Sequence, residues 1–232
     1  MKKKLSILLA CLMLASSATA FAAPSDINGH WCGEIIEKWV GAEKISGYPD
    51  GTFKPDNFIT RAEFAKILAS IVPPMPYLDE IDFKDVKEGD WYYESVAALV
   101  TLGAVSKAEY FNPSKQITRQ EAMTMAGRAF YYSSPESDIL NFADNDQIAD
   151  YAKEYIAALC EAGLVSGYED NTIRPLNNIT RAESIKILDG FGVVYDAASL
   201  EGIMEKIYAG AYEEKPPVMY TRIDSENVNY FL

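Results

Sequence analysis

The chain has 232 residues, which is long enough to bury one substantial core, and 49% of them are hydrophobic. Its 34 acidic residues outnumber its 21 basic ones, so the formal net charge is −13. So acidic a chain is a poor partner for nucleic acid or for an anionic membrane surface.

The first 22 residues have the layout of a secretory signal peptide. Three lysines at positions 2 to 4 precede an apolar run from Leu5 to Leu14, and small residues follow up to Ala22. Cleavage is expected after residue 20 or 22, and losing the three lysines takes the formal charge from −13 to −16. Because no later segment is long and apolar enough to span a membrane, we predict a soluble, secreted protein.

A five-residue motif occurs three times, each time at the start of an apolar run with helical spacing. The copies are Ile59–Glu63, Ile117–Glu121 and Ile179–Glu183. Residues 31–69 match residues 151–189 at a constant offset of 120, and the middle copy lacks two loop residues. Units of about 50 to 60 residues are too small to bury a core alone, so one compact domain of three repeats is predicted. We place the repeats at residues 26–73, 79–132 and 139–192.

Each repeat is predicted to form a helix, a loop and a second helix, which makes the fold mainly α. The first helices carry an apolar stripe, with residues such as Ile36 and Val40 three to five positions apart, and an aromatic residue leads each stripe. After the third repeat, residues 197–212 predict one more amphipathic helix, and the residues up to 232 predict an unstructured tail. The leading aromatic residues are Trp31, Trp91 and Tyr151.

The loops of the first and third repeats contain tight-turn residues. Asp50-Gly51 follows Ser46-Gly47-Tyr48 in the first repeat, and Asp170-Asn171 takes the same place in the third. Asparagine accepts a positive φ nearly as well as glycine, so both segments predict a tight turn or a short hairpin. The second repeat has Lys107-Ala108-Glu109 there and lacks this turn chemistry.

Within the repeated motif, threonine followed three residues later by glutamate forms a capping box at the start of the second helix. The intervening arginine needs another explanation, because a cation at the first helical position is disfavoured by roughly 0.3 to 1 kcal/mol. A salt bridge to a nearby carboxylate is one explanation. An anionic ligand is the other, since free N–H groups beside a guanidinium suit a carboxylate or a phosphate. The three arginines are Arg61, Arg119 and Arg181.

The aromatic residues that lead the first helices are candidates for stacking against a sugar ring beside hydrogen-bond donors. A tryptophan near a helix start nevertheless packs in the core more often than it forms such a platform. Both roles stay open for Trp31, Trp91 and Tyr151.

No residue pattern typical of catalysis or of a metal site occurs in the sequence. His30 is the only histidine, and the acidic residues are too many for one pair to stand out. We therefore predict that the chain is not an enzyme and has no cofactor or metal. Export permits a disulfide between Cys32 and Cys160, but their spacing does not establish one.

At these motifs the chain resembles the S-layer homology domain family. The shared features are a tryptophan-led helix, a Ser-Gly-Tyr-x-Asp-Gly-Thr-Phe-x-Pro loop and an Ile-Thr-Arg-Ala-Glu helix start, which recur in order over residues 26–190. The resemblance implies a pseudo-threefold spindle with a central three-helix bundle. It also implies grooves between the repeats that bind cell-wall polymers, in many members a pyruvylated secondary cell-wall polysaccharide.

By this resemblance, the motif arginines would hold the ketal-pyruvate carboxylate and the tryptophans would flank the sugar. The loop glycines and aspartates would shape or line the grooves. The second repeat lacks the glycine-aspartate loop, and the third has tyrosine and asparagine in place of tryptophan and glycine. One or two grooves are therefore expected to keep full affinity, and the second repeat to be mainly structural. The implied ligand-binding residues are Arg61, Arg119, Arg181, Trp31, Trp91, Tyr151, Gly47, Gly167, Asp50 and Asp170.

The function implied is that of an exported, non-covalent anchor at the cell wall and cell surface, associated with the S-layer. One alternative is direct binding to peptidoglycan, including polyamine-modified peptidoglycan, which would suit the acidic composition. A surface enzyme or its accessory subunit is an alternative of another class. Residues 197–232 could recruit another surface protein, and the sequence does not choose among such partners.

Overall fold

The structure is a computed structural model that describes residues 23–72, 81–134 and 140–191. The predicted signal peptide, the predicted helix at 197–212 and the predicted tail lie outside these residues. The described part is mainly α-helical, as predicted, and its only extended pairing consists of three isolated β-bridges. Every helix in it is too short or too polar to cross a bilayer.

The three helix–loop–helix repeats are present within the described residues. The first helices of the repeats are α1, α3 and α5, and the second helices are α2, α4 and α6. A short 3-10 helix, Asn145–Gln147, precedes α5. The bounds are Gly33–Gly41 for α1, Arg61–Ala69 for α2, Tyr93–Thr101 for α3, Arg119–Ala129 for α4, Asp150–Glu161 for α5 and Arg181–Asp189 for α6.

The second helix of each repeat packs against the first helix of the next one. Helix α2 contacts α3, α4 contacts α5, and α6 returns to contact α1, so the repeats close into a cycle. Helix α4 also contacts α6. The spindle with a central bundle of α2, α4 and α6, which the resemblance implies, stays a prediction.

The isoleucine that opens each motif lies where the three repeats meet. The N–H of Ile59 donates to the carbonyl of Ile179, that of Ile117 to Ile59, and that of Ile179 to Ile117, each at 3.1 Å. All three residues are at most 1% exposed, so their backbone groups need protein partners. The cyclic arrangement supplies those partners.

The predicted capping boxes are present at Thr60, Thr118 and Thr180. The next two N–H groups of each helix donate to a loop of the following repeat. Arg61 donates to the carbonyl of Lys115 at 2.9 Å, and Ala62 donates to that of Pro113 at 3.0 Å. The same contacts recur at α4 and α6. The expectation of free N–H groups at these helix starts is therefore wrong, because neighbouring loops occupy them.

An aspartate ahead of each first helix fixes the loop of its own repeat. Asp26 accepts the N–H groups of Phe53 and Lys54, both at 2.7 Å, and Asp85 and Asp144 do the same for their loops. Lys54 has a φ of 57°, a left-handed conformation that is unfavourable for a residue with a side chain. Two charge-assisted hydrogen bonds hold the loop in this conformation.

The two cysteines of the described part are both free thiols. Cys32 is fully buried and donates to the carbonyl of Ala182 at 3.6 Å, and Cys160 is half-buried in α5. Burial raises the pKa of each thiol to about 11. The disulfide that export would permit is not formed.

Candidate functional site

A groove of about 390 Å³ lies where residues of all three repeats meet, and we call it the Trp31 groove. The first repeat contributes Trp31 and Asp56, and the second contributes Arg119. The third repeat contributes its loop around Tyr168 and one face of α6 with Glu183 and Lys186. The groove thus combines two aromatic side chains, two cations and two carboxylates.

The aromatic residues at the starts of the first helices are exposed. Trp31 and Trp91 each lie two residues ahead of their helix and are 61% and 56% exposed, and Tyr151 is 49% exposed. The prediction that they continue the apolar stripe is wrong, because the buried stripe begins farther along each helix, as at Ile36. A large exposed aromatic face beside a groove is available to stack on a ligand.

Arg119 is the buried cation of the Trp31 groove. It is 8% exposed, and its Nη2 donates to the carbonyl of Ser166 at 3.2 Å. Its guanidinium lies 5.1 Å from the ring centroid of Tyr168. Its Nε has no hydrogen-bond partner, and none of the ion pairs among the described residues includes it. A buried cation without an ion-pair partner is costly, so this position favours an anion beside the guanidinium.

The other two motif arginines have carboxylate partners. Nε of Arg61 donates to the carbonyl of Phe111 at 2.8 Å, and its Nη1 lies 3.4 Å from Glu121. Nη1 of Arg181 lies 3.8 Å from Glu63. The predicted salt bridge is therefore present for Arg61 and Arg181 but not for Arg119.

Each motif arginine reaches the loop of the following repeat. Arg119 contacts the intact loop of the third repeat, whereas Arg61 contacts the altered loop of the second. Arg181 contacts the intact loop of the first repeat, where its guanidinium lies 5.0 Å from the ring of Tyr48. The turn residues that the second repeat lacks therefore change the surroundings of Arg61 and not those of Arg119. The second repeat, which is expected to be mainly structural, supplies Arg119 to the loop of the third repeat.

The loop glycines allow a close backbone approach. A Cβ added at Gly47 would lie 2.7 Å from the carbonyl oxygen of Thr52, and one at Gly167 would lie 2.8 Å from that of Thr172. Side chains do not fit at such distances. Both glycines therefore shape the loop.

The loop aspartates hold the same turns. The carboxylate of Asp50 accepts hydrogen bonds from the hydroxyl of Thr52 at 2.5 Å and from its N–H at 3.0 Å. Asp170 accepts the same two hydrogen bonds from Thr172. The threonine hydroxyl bond is the largest cause that lowers the pKa of each carboxyl to about 2. Asp170 does not line the Trp31 groove, so the geometry supports a shaping role for it.

Two lysines near the aromatic residues were not predicted as site residues. Lys186 lines the Trp31 groove, and the ammonium of Lys66 lies 5.6 Å from the ring centroid of Trp91. Both lysines lie five residues beyond the motif arginine of their repeat. The second repeat has Thr124 at this position. The repeat alignment contained this signal. Among the described residues, no cluster of three or more potential metal ligands occurs.

Comparison with known proteins matches the repeats to one family. The family model described as the S-layer homology domain matches residues 25–65, 82–123 and 141–183. The chain is 32% identical over 182 residues to the surface-layer 125 kDa protein of Lysinibacillus sphaericus, covering 74% of this chain and 15% of that protein. It is 33% identical over 156 residues to the cellulosome-anchoring protein of Acetivibrio thermocellus, covering 62% and 34%.

Enzymes carry similar segments. The chain is 29% identical over 171 residues to an amylopullulanase of Thermoanaerobacterium thermosulfurigenes, covering 72% of this chain but 9% of that protein. The chain therefore spans about a third or less of the length of these three relatives.

Proposed function

The chain belongs to the S-layer homology domain family, and on that premise we propose that it is a non-covalent anchor that binds a cell-wall polymer in the Trp31 groove. Its place of action is then the cell wall and cell surface, which it reaches by export. The similarity to proteins named for the surface layer and for anchoring supports this role.

The single observation that carries the proposal is the state of Arg119. This guanidinium is 8% exposed, lines the groove, and has an unused Nε and no ion pair. An anionic group on the ligand would provide the missing ion-pair partner of the guanidinium through charge-assisted hydrogen bonds. A carboxylate such as that of a pyruvate ketal on a secondary cell-wall polysaccharide fits this requirement.

The surroundings of Arg119 suit a sugar that carries such a group. The face of Trp31 is exposed beside the groove, and aromatic faces are suited to packing against the apolar side of a ring. Lys186 adds a second cation, which balances the two carboxylates of the groove, so an anion can pair with Arg119 there despite the acidic chain. We therefore place the principal ligand site in this groove. Secondary sites are proposed beside Trp91 and Arg181, and beside Tyr151 and Arg61.

Direct binding to peptidoglycan is the second candidate function. Asp56 and Glu183 also line the Trp31 groove, and they would attract an amine such as that of a polyamine-modified wall. Catalysis is not part of the proposal. The chain covers only 9% of the amylopullulanase, so the activity named for that protein is not carried over.

Replacing Arg119 with glutamine tests the proposal. We expect Arg119→Gln to weaken retention of the full chain on purified cell-wall sacculi by about 10- to 150-fold. That range corresponds to losing a hydrogen bond between charged groups, about 1.5 to 3 kcal/mol. Trp31→Ala is the second variant, because an exposed residue can be truncated with little effect on folding.

The matched controls are Arg61→Gln and Tyr151→Ala, which alter the corresponding positions beside the changed loop. We expect each to weaken retention by less than about threefold, and thermal unfolding measures whether each variant is folded. Folded Arg119→Gln and Trp31→Ala proteins that bind sacculi as well as the unaltered chain would contradict the proposal. Equal losses from Arg61→Gln and Arg119→Gln would contradict the choice of the Trp31 groove.

A further inference from the structure

The three motif glutamates differ in what their second carboxylate oxygen contacts. In every repeat, Oε2 accepts the N–H of the capping threonine, at 2.8 or 2.9 Å. In the first and second repeats, Oε1 pairs with the arginine that arrives from the preceding repeat, at 3.8 and 3.4 Å. In the third repeat, Oε1 of Glu183 instead accepts the hydroxyl of Tyr168 at 2.7 Å.

We propose that Tyr168 is a positioning residue whose hydroxyl holds Glu183 away from Arg119 and so keeps that guanidinium available to an anionic ligand. The inference rests on the proposed function, because it explains why one of the three arginines has no carboxylate partner in the chain and can pair with a wall polymer. It assigns the missing ion pair of Arg119, and with it the higher affinity proposed for the Trp31 groove, to one hydroxyl group.

A nearby carboxylate would compete with the ligand. If Glu183 turned toward Arg119, as Glu63 turns toward Arg181, the anion of the polymer would have to displace it. The hydrogen bond from Tyr168 uses the oxygen that would make that contact. Arg119 accordingly has no carboxylate partner among the described residues, whereas Arg61 and Arg181 each pair with a motif glutamate through Nη1.

The ring of Tyr168 is itself held in place. The guanidinium of Arg174 lies 3.8 Å from its centroid, and Nη2 of Arg174 donates to Asp170 at 3.0 Å. Burial, and then the bond to Glu183, raise the pKa of Tyr168, so its hydroxyl is protonated and able to donate at neutral pH. The loop of the third repeat thus presents a fixed donor to Glu183.

The first repeat shows that a tyrosine at this position is not sufficient. Tyr48 occupies the equivalent position, with the ammonium of Lys54 4.2 Å from its ring centroid in place of Arg174. Within the described residues its hydroxyl makes no hydrogen bond to Glu63, and Glu63 pairs with Arg181. The separation of carboxylate and arginine therefore follows the hydroxyl contact and not the residue type.

The test removes only the hydroxyl and then only the charge. Tyr168→Phe keeps the ring, and adding Glu183→Gln keeps the capping role, which glutamine also performs, while removing the competing negative charge. We expect Tyr168→Phe to weaken retention of the full chain on cell-wall sacculi by about tenfold. The double variant is expected to recover the original retention to within about threefold. A crystal structure of Tyr168→Phe should show Glu183 in contact with Arg119.

The outcomes separate the inference from the proposed function. If the unaltered chain does not bind sacculi, the proposed function fails, and the position of Glu183 in Tyr168→Phe still decides the inference. Glu183 staying clear of Arg119 in that structure would overturn the inference, and so would a loss of binding that Glu183→Gln does not restore. Tyr48→Phe is the structural control, and its Glu63–Arg181 contact is expected to be unchanged.

Discussion

Asp189 at the end of α6 joins the third repeat to the first, and its replacement tests how the cycle is closed. One carboxylate oxygen accepts the indole N–H of Trp39 and the ammonium of Lys38, each at 2.7 Å. Trp39 is 6% exposed, so water cannot readily replace the lost acceptor. The corresponding residues of the other repeats are Ala69 and Gly127, which cannot form such a contact.

The contacts of Asp189 give the size of the expected effect. An indole N–H left buried without an acceptor costs about 1 to 3 kcal/mol. The ion pair with Lys38 adds at most about 0.5 kcal/mol, because the side chain of Lys38 is 64% exposed and solvent screens the pair. We therefore expect Asp189→Ala to lower the free energy of unfolding by about 1 to 3.5 kcal/mol. Asp189→Asn keeps an acceptor for the indole and is expected to cost about 1 kcal/mol.

Urea unfolding at pH 7, followed by circular dichroism, measures these differences, with Lys38→Ala as the control that removes only the exposed partner.

Burial alone would raise the pKa of Asp189, but the bonds from Lys38 and Trp39 outweigh it, so the folded-state pKa is lowered. A lowered pKa stabilises the fold above the unfolded-state pKa of about 4, and this contribution is lost as the pH falls through the folded-state value. The gap between the original chain and Asp189→Asn should therefore shrink below about pH 4. A cost under about 0.5 kcal/mol for Asp189→Ala would refute the reasoning.

Two further predictions concern closely packed positions. Burial raises the pKa of the Cys32 and Cys160 thiols to about 11, so both should react slowly with a thiol reagent at pH 8 in the folded chain and fully in urea. Rapid reaction of both thiols in the folded chain would contradict the raised pKa values. Gly167→Ala should cost about 1 to 3 kcal/mol in urea unfolding, because the added Cβ would lie 2.8 Å from the carbonyl oxygen of Thr172. Gly41→Ala, in an open helical position, is the control and should be neutral or slightly stabilising.

Local features of the fold could be predicted because they depend on residues close together in the sequence. The capping boxes at Thr60, Thr118 and Thr180 each need only a threonine and a glutamate three residues apart. The helix–loop–helix order follows likewise from apolar spacing and from turn residues. The compensation that the motif arginines require was also predicted, and it is present as an ion pair for Arg61 and Arg181.

Contacts between repeats could not be predicted, because nothing in the spacing says which loop meets which helix. Arg119 reaches Ser166, 47 residues away, so the loss of turn residues in the second repeat does not affect the arginine of that repeat. Free N–H groups were expected at the helix starts, but these groups donate to loop carbonyls of another repeat. The local sequence does not reveal those acceptors. The exposure of Trp31 depends likewise on where the core ends, which the helical period alone does not determine.

Binding to cell-wall sacculi before and after mild acid treatment tests the central claim most directly, because such treatment removes ketal-linked pyruvate and secondary polymers. We expect the full chain to be retained on untreated sacculi and this retention to be lost after extraction, and we expect Arg119→Gln to be retained about 10- to 150-fold more weakly on untreated sacculi. Retention that survives extraction would contradict the anionic polymer as the ligand and favour peptidoglycan itself. No retention on either preparation would contradict the anchoring function.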